Sequence, residues 1–119
     1  LKVKIQIAGQ YLSAFESLNG VILPSTASFS NHTYHQFTLC VPDGKRDGFA
    51  SFMNERGIAT MIYYPIPLHK QTAYAQFEQR TTLTVSERSS NCVISIPVLE
   101  ALEPTEVLAI KTAVTTYFS

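Results

Sequence analysis

Residues 57–71 read GIATMIYYPIPLHKQ. The apolar run over residues 58–64 predicts a strand, and Pro65 ends it because proline has no amide hydrogen for a sheet ladder. Pro65 and Pro67 both favour an extended backbone, so they hold the approach to His69 with little further loss of chain entropy. This stretch predicts a strand that leads into a stiff loop, which fits a small mixed domain.

The chain around this stretch alternates short strands with helices. Apolar residues recur at helical spacing near the amino terminus, and Pro104 stands where a helix would begin, with acidic residues beside it. The predicted strands are residues 21–23, 34–41, 58–64 and 93–96, and the predicted helices are residues 1–19, 47–56, 69–77, 86–91 and those from 104 onward. We therefore expect an α+β fold over residues 1–119, with a sheet of three to four strands covered by helices.

Composition excludes several classes of function. Hydrophobic residues make up 45% of the 119 residues, so the chain can form a modest core. Nine basic and nine acidic residues cancel, and no basic stripe is present for nucleic acid phosphates. No apolar run reaches the 18 residues that indicate a transmembrane helix, so we expect neither a nucleic acid nor a membrane partner.

The cysteines and histidines give only a weak metal signal. Cys40 and Cys92 lie far apart in apolar surroundings, and we expect two buried thiols that act as small hydrophobic side chains instead of a disulfide. His32 and His35 lie near the start of a predicted strand, but no third ligand accompanies them. We therefore predict no metal site.

The residues alone contain no complete active site. A glycine-rich phosphate loop, a G-x-S-x-G elbow and a close carboxylate pair are all missing from the sequence. Tyr63, Tyr64 and His69 combine rings with polar groups on a stiff loop, which suits contact with a polar ligand such as a sugar or phosphate. The same residues would also suit a packing corner in which His69 caps a neighbouring helix, and the pattern leaves both interpretations open.

A longer set of motifs resembles a known family. The motifs, in chain order, are Arg46-Asp47, Gly57-Ile58 with Thr60, the YYPIPLH run of residues 63–69, Tyr74, Glu87, the ISIP run of residues 94–97 and the acidic start of the last helix at residues 103–107. Together they are similar to the C-terminal part of the DegT/DnrJ/EryC1/StrS family of sugar aminotransferases, which depend on pyridoxal phosphate (PLP). The residues IQIAGQY near the amino terminus resemble the helix that leads into the small domain of that family.

The resemblance implies the fold of the small C-terminal domain of fold-type I PLP-dependent transferases, with residues 1–19 as a lead-in helix from a large domain. It also implies a cytoplasmic enzyme, homodimeric at full length, that transfers an amino group from an amino acid, typically glutamate, to a keto sugar nucleotide for surface polysaccharide or related sugar synthesis. In the family, PLP is held by the large domain through a lysine of an S-x-x-K motif, which this sequence lacks. We therefore expect no catalytic or cofactor-binding residue here and no activity from these residues alone.

The resemblance assigns the Y-P-x-P-L-H segment to the nucleotide sugar, so Tyr63, Tyr64 and His69 become candidate substrate-binding residues. Tyr63 stands where the family often has histidine, and a phenol cannot supply the proton chemistry of an imidazole near neutral pH. The alternative function is a stand-alone α+β module that binds a sugar or nucleotide without catalysis.

Overall fold

The structure is a computed structural model that describes residues 1–77 and 81–119. Within that part, four α-helices and two strands form the domain. In chain order they are α1 (Lys2–Phe15), β1 (Phe37–Cys40), α2 (Arg46–Asn54), α3 (Thr84–Cys92), β2 (Val93–Ile96) and α4 (Pro104–Phe118). None of the helices in this part is both long and apolar enough to cross a membrane. The α+β class is confirmed.

The sheet is smaller than the three to four strands expected. β1 and β2 pair antiparallel, with Phe37 opposite Ile96 and Cys40 opposite Val93. The predicted strands at residues 21–23 and 58–64 each add one isolated bridge, one from Ile22 to β1 and one from Met61 to β2. Prolines 24 and 65 follow these segments, and a proline has no amide hydrogen with which to extend a ladder.

The core lies between the sheet and the helices. Phe37, Leu39 and Val41 are fully buried on one face of the β1 segment, as the alternation of apolar residues predicts. Helix α4 contacts both α1 and α2. Its start is a capping box in which the Glu103 and Glu106 side chains accept hydrogen bonds from each other's backbone amides.

The predicted helix over residues 1–19 is present as α1, which is shorter, and its buried face differs in detail from the expected stripe. Ile7, Ala8, Tyr11 and Phe15 are buried, whereas Ile5 is exposed. The Tyr11 hydroxyl donates a hydrogen bond of 2.9 Å to the carbonyl of Pro97, just beyond β2. Burial of the phenol raises its pKa, and this bond joins the helix to the sheet.

The expected helix over residues 69–77 is wrong. Two short 3-10 helices stand there instead, Leu68–Lys70 and Thr72–Tyr74. Pro67 and Gln71 have extended backbones with ψ of 147° and 141°, which interrupts any continuous α-helix. The apolar spacing was read as a helical face, but Tyr74 and Phe77 remain exposed.

The expectation of two free thiols is also wrong. Cys40 and Cys92 form a disulfide, with Cα atoms 4.9 Å apart and a sequence separation of 52. The strand register explains the pairing, because Cys40 lies opposite Val93 and Cys92 directly precedes that residue. The bond ties the end of β1 to the junction of α3 and β2.

Candidate functional site

An apolar groove of about 760 Å³ lies between the loop after Met61 and helix α3. The loop side of the groove consists of aromatic and aliphatic residues, and α3 contributes a row of serines. Its lining is Tyr63, Tyr64, Ile66, Pro67, Leu68, His69, Gln71, Tyr74, Phe77, Leu83, Ser86, Ser89, Ser90 and Val93. The three residues singled out from the sequence, at positions 63, 64 and 69, therefore lie on one surface.

The two tyrosines begin this surface at the edge of the sheet. Met61 exchanges backbone hydrogen bonds of 3.1 and 2.7 Å with Ser95 of β2, which fixes where the loop leaves the sheet. The rings of Tyr63 and Tyr64 then meet edge to face with centroids 5.6 Å apart. Tyr64 is 71% exposed and Tyr63 is 38% exposed, so both rings can contact a ligand or another part of the protein.

His69 lies deeper and is held by a partner. Pro67, with its extended backbone, introduces the 3-10 helix that carries His69, and the Pro67 carbonyl accepts a hydrogen bond of 2.9 Å from the Lys70 amide. The side chain of His69 is only 13% exposed, and its Nε2 atom lies 3.0 Å from Oε1 of Glu87. His69 therefore packs against the first turn of α3 through a side chain, and it does not cap the backbone of that helix.

Glu87 joins two basic side chains. Its second oxygen, Oε2, lies 3.0 Å from the Nζ atom of Lys70. The hydrogen bond from His69, followed by the one from Lys70, holds the pKa of the Glu87 carboxyl below its usual range. The carboxylate is therefore ionised near neutral pH and acts only as an acceptor.

Arg46 also holds helix α3. The guanidinium, whose side chain is only 12% exposed, donates from Nη1 to the carbonyl of Ser90 at 2.7 Å and from Nε to Asp47 at 2.7 Å. A cation near the carboxyl end of a helix also interacts favourably with the helix dipole. The Arg46-Asp47 motif thus contributes to the placement of the helix that bears Glu87.

Outside the groove, His32 is held by Tyr34. His32 accepts a hydrogen bond of 2.9 Å at Nδ1 from the Tyr34 amide and stacks on the Tyr34 ring. Across residues 1–77 and 81–119, no three His, Cys, Asp or Glu side chains are grouped so as to hold a metal ion.

The groove offers a defined chemistry. Rings and aliphatic side chains can cover the faces of a sugar or a base, and the phenols and the imidazole can hydrogen-bond to its edges. The sequence led to the tyrosines and the histidine but not to the pairing of His69 with Glu87 and Lys70. Glu87 had entered only as part of a family resemblance, and no periodic spacing connects residues 69 and 87.

Known proteins share both the sequence pattern and the fold of this chain. The sequence profile described as the DegT/DnrJ/EryC1/StrS aminotransferase family matches residues 1–115. The structure superposes on DesV of S. venezuelae, solved in complex with a ketimine intermediate, with a TM-score of 0.92 and 31% identity, covering 99% of this chain and 32% of that one. The chain belongs to the DegT/DnrJ/EryC1/StrS aminotransferase family.

Two relatives, which carry different functional names, are similar to this chain over most of its length. The dTDP-3-amino-3,4,6-trideoxy-alpha-D-glucose transaminase of Streptomyces venezuelae is 35% identical over 109 residues, which are 91% of this chain and 28% of the relative. The pleiotropic regulatory protein of Geobacillus stearothermophilus is 34% identical over 99 residues, which are 81% of this chain and 26% of the relative. The chain thus spans under a third of the length of these relatives.

Proposed function

We propose that this chain is the C-terminal, substrate-facing domain of a PLP-dependent aminotransferase that acts on a keto sugar nucleotide. The amino donor in this proposal is an amino acid, in the first instance glutamate, and the product serves surface polysaccharide or related sugar synthesis. The observation that carries the proposal is the groove itself. Tyr63, Tyr64 and His69 line it together in a chain whose relatives include a dTDP-amino sugar transaminase.

The groove's residues would bind and orient the sugar nucleotide. The exposed rings of Tyr63 and Tyr64 would pack on its apolar faces and exclude water, while their hydroxyls would reach its polar edges. His69 would add a hydrogen bond from a position fixed by Glu87. Ile66 and Leu68 are 53% and 62% exposed, so the groove is a wall that another part of the protein would complete.

The residues present do not fit PLP. When bound, this cofactor supplies an electron sink for amino transfer, and it needs a lysine for its covalent attachment. Lys70 is the lysine beside the groove, and its amine is paired with Glu87 at 3.0 Å. We therefore assign no cofactor-binding or catalytic residue here and place PLP on the large domain that family members of greater length carry.

The proposal extends to the setting of the enzyme. The full-length protein would be a homodimer in the cytoplasm, where nucleotide sugars and amino acid donors are available. Disulfides are rare in that compartment, so a persistent bond between Cys40 and Cys92 in the cell would count against a cytoplasmic setting.

Titration of the 119-residue chain with dTDP-glucose, followed by amide NMR, tests the binding role. We expect saturable shifts confined to the groove, and these should weaken in Tyr64→Ala and His69→Ala but persist in Phe29→Ala. Phe29 is 91% exposed and lies outside the groove, so the Phe29→Ala variant controls for nonspecific binding to exposed aromatic rings. Equal shifts in all three variants would contradict a nucleotide-sugar site at this groove.

A second experiment tests the assignment of PLP to another domain. The chain is incubated with PLP and treated with borohydride, which would fix any lysine adduct, and its mass is then measured by mass spectrometry. We expect no specific adduct of defined stoichiometry and no transamination by this chain alone. One specific lysine adduct accompanied by turnover would refute the assignment of PLP to another domain.

A further inference from the structure

We propose that Glu87 is a positioning residue that keeps the proton of neutral His69 on Nε2, so that Nδ1 is presented as a hydrogen-bond acceptor. The inference deepens the proposed function, because it states which group His69 offers to a substrate. Its central test needs no ligand, so it can fail or succeed independently of the nucleotide-sugar proposal.

The first step is the geometry of the pair. Nε2 of His69 and Oε1 of Glu87 are 3.0 Å apart, and the imidazole side chain is 87% buried between its loop and α3. A neutral imidazole carries one N–H and one bare nitrogen, and the group bonded to one nitrogen selects which is which. A carboxylate can only accept, so the nitrogen that faces it carries the proton.

The second step is the role of Lys70. Its ammonium occupies the other carboxylate oxygen at 3.0 Å, so both oxygens of Glu87 accept from basic groups. A proton on the carboxyl would compete with one of these bonds, and their effect on the carboxyl pKa is to lower it. Glu87 therefore remains an acceptor toward His69 at neutral pH.

The third step concerns what remains for a ligand. Since Nε2 is committed to Glu87, Nδ1 is the nitrogen of His69 that is left for contact within the groove. A bare Nδ1 selects a donor, such as a sugar hydroxyl or a base N–H, over a group that can only accept. The phenols of Tyr63 and Tyr64 can donate or accept a hydrogen bond, whereas the Nδ1 atom of His69 would only accept. His69 would therefore be the group on this surface that requires a donor from the ligand.

The same geometry predicts what Glu87→Gln should do. A glutamine has one oxygen and one amide nitrogen at the positions of the two carboxylate oxygens. Lys70 can only donate, so it should claim the oxygen and leave the amide N–H₂ facing Nε2 of His69. Nε2 must then accept, and the proton should move to Nδ1. In Lys70→Ala the carboxylate is retained, and the wild-type tautomer should persist.

Imidazole nitrogen shifts measure this directly. Long-range ¹H–¹⁵N correlation spectra of the ¹⁵N-labelled chain are recorded over a pH series, and the tautomer is read from the high-pH plateau. The His69 signals are assigned by their loss in His69→Gln. His32 is an internal control, because its Nδ1 accepts from the Tyr34 amide at 2.9 Å and its proton must also reside on Nε2.

We expect the Nε2–H tautomer for His69 in the wild type and in Lys70→Ala, and the Nδ1–H tautomer in Glu87→Gln, with His32 unchanged in all three. An Nδ1–H tautomer in the wild type would overturn the inference. An unchanged His69 tautomer in a folded Glu87→Gln variant would overturn it as well.

The binding arm uses dTDP-glucose as the probe. We expect it to move the Nδ1 resonance of His69 and to bind Glu87→Gln about fivefold more weakly, the equivalent of one net hydrogen bond. Binding that leaves the His69 nitrogens unmoved would refute presentation of Nδ1 to the ligand. Absence of any binding would refute a nucleotide-sugar site formed by this chain alone, while the tautomer spectra would still decide the role of Glu87.

Discussion

Reduction of the Cys40–Cys92 disulfide should destabilise the domain substantially. The bond closes a loop of 52 positions, and it removes that loop's freedom from the unfolded chain. For a loop of this length the chain-entropy relation gives about 14 cal/mol/K, or about 4 kcal/mol at 25 °C. A domain of this size is typically stable by about 5–15 kcal/mol, so the bond would account for a large share.

Urea denaturation with and without a thiol reductant measures this difference. With a urea dependence of about 2 kcal/mol/M, the midpoint should fall by about 2 M on reduction. The matched control is the double variant Cys40→Ala/Cys92→Ala, which should resemble the reduced wild type and ignore the reductant. Alanine is preferred to serine, because Cys92 is buried and alanine introduces no hydroxyl that would need a hydrogen-bond partner there.

Thiol counting provides the refuting result. The unfolded, unreduced wild type should show no reactive thiol, and the reduced protein should show two. Two thiols before reduction, together with a midpoint that ignores the reductant, would contradict the disulfide. The original expectation of two buried thiols in a cytoplasmic protein would then stand.

Four further substitutions test three separate features by urea denaturation. Tyr11→Phe should cost about 1–2 kcal/mol, because it removes the buried hydrogen bond to Pro97; an unchanged midpoint would contradict that bond. Gly57→Ala should cost about 1–2 kcal/mol because φ is +71°, whereas Gly9→Ala, inside α1 with open space, should gain about 1 kcal/mol; changes of the same sign would refute this contrast. Because the folded pKa of Glu87 is lowered, its stabilisation is present above about pH 4.5 and is lost as the pH falls through the lowered value. The difference in unfolding free energy between the wild type and Glu87→Gln should therefore become smaller in acid. A difference that is independent of pH would contradict the pairing.

Local signals in the sequence account for the start of α4 and the end of α2. The proline at the first position of α4 and the acidic residues around it identified that helix, and the structure adds the reciprocal bonds of Glu103 and Glu106. Gly57 follows α2 with a positive φ, the conformation for which glycine is favoured just beyond the end of a helix. Such features depend on neighbours within one turn, so a sequence contains most of the information.

The extent of the sheet could not be read in the same way. Residues 21–23 and 58–64 have the composition of strands, yet each makes only a single bridge. Whether an apolar extended segment becomes a strand depends on the length of edge that its neighbour offers. β1 and β2 are four residues each, so little ladder is available on either side.

The two pairings that sequence reasoning missed have a common tertiary cause. Helix α3 ends at Cys92 and continues directly into β2, whose register on β1 brings Cys92 beside Cys40. Glu87 lies five residues before Cys92 on the same helix, or about 7.5 Å along its axis.

The register of β2 on β1, which allows the disulfide, therefore also fixes the position of Glu87 along the groove. Arg46, on α2, holds the same end of α3 through the carbonyl of Ser90. His69 reaches Glu87 only because the loop after Pro65 returns along this anchored helix. Each contact is determined by strand pairing across the domain, so spacing along the chain could not reveal either one. The proline-rich loop before His69 and the disulfide at the end of α3 accordingly both hold the His69–Glu87 pair in place. A substitution that removes either of these constraints should make the imidazole of His69 more mobile.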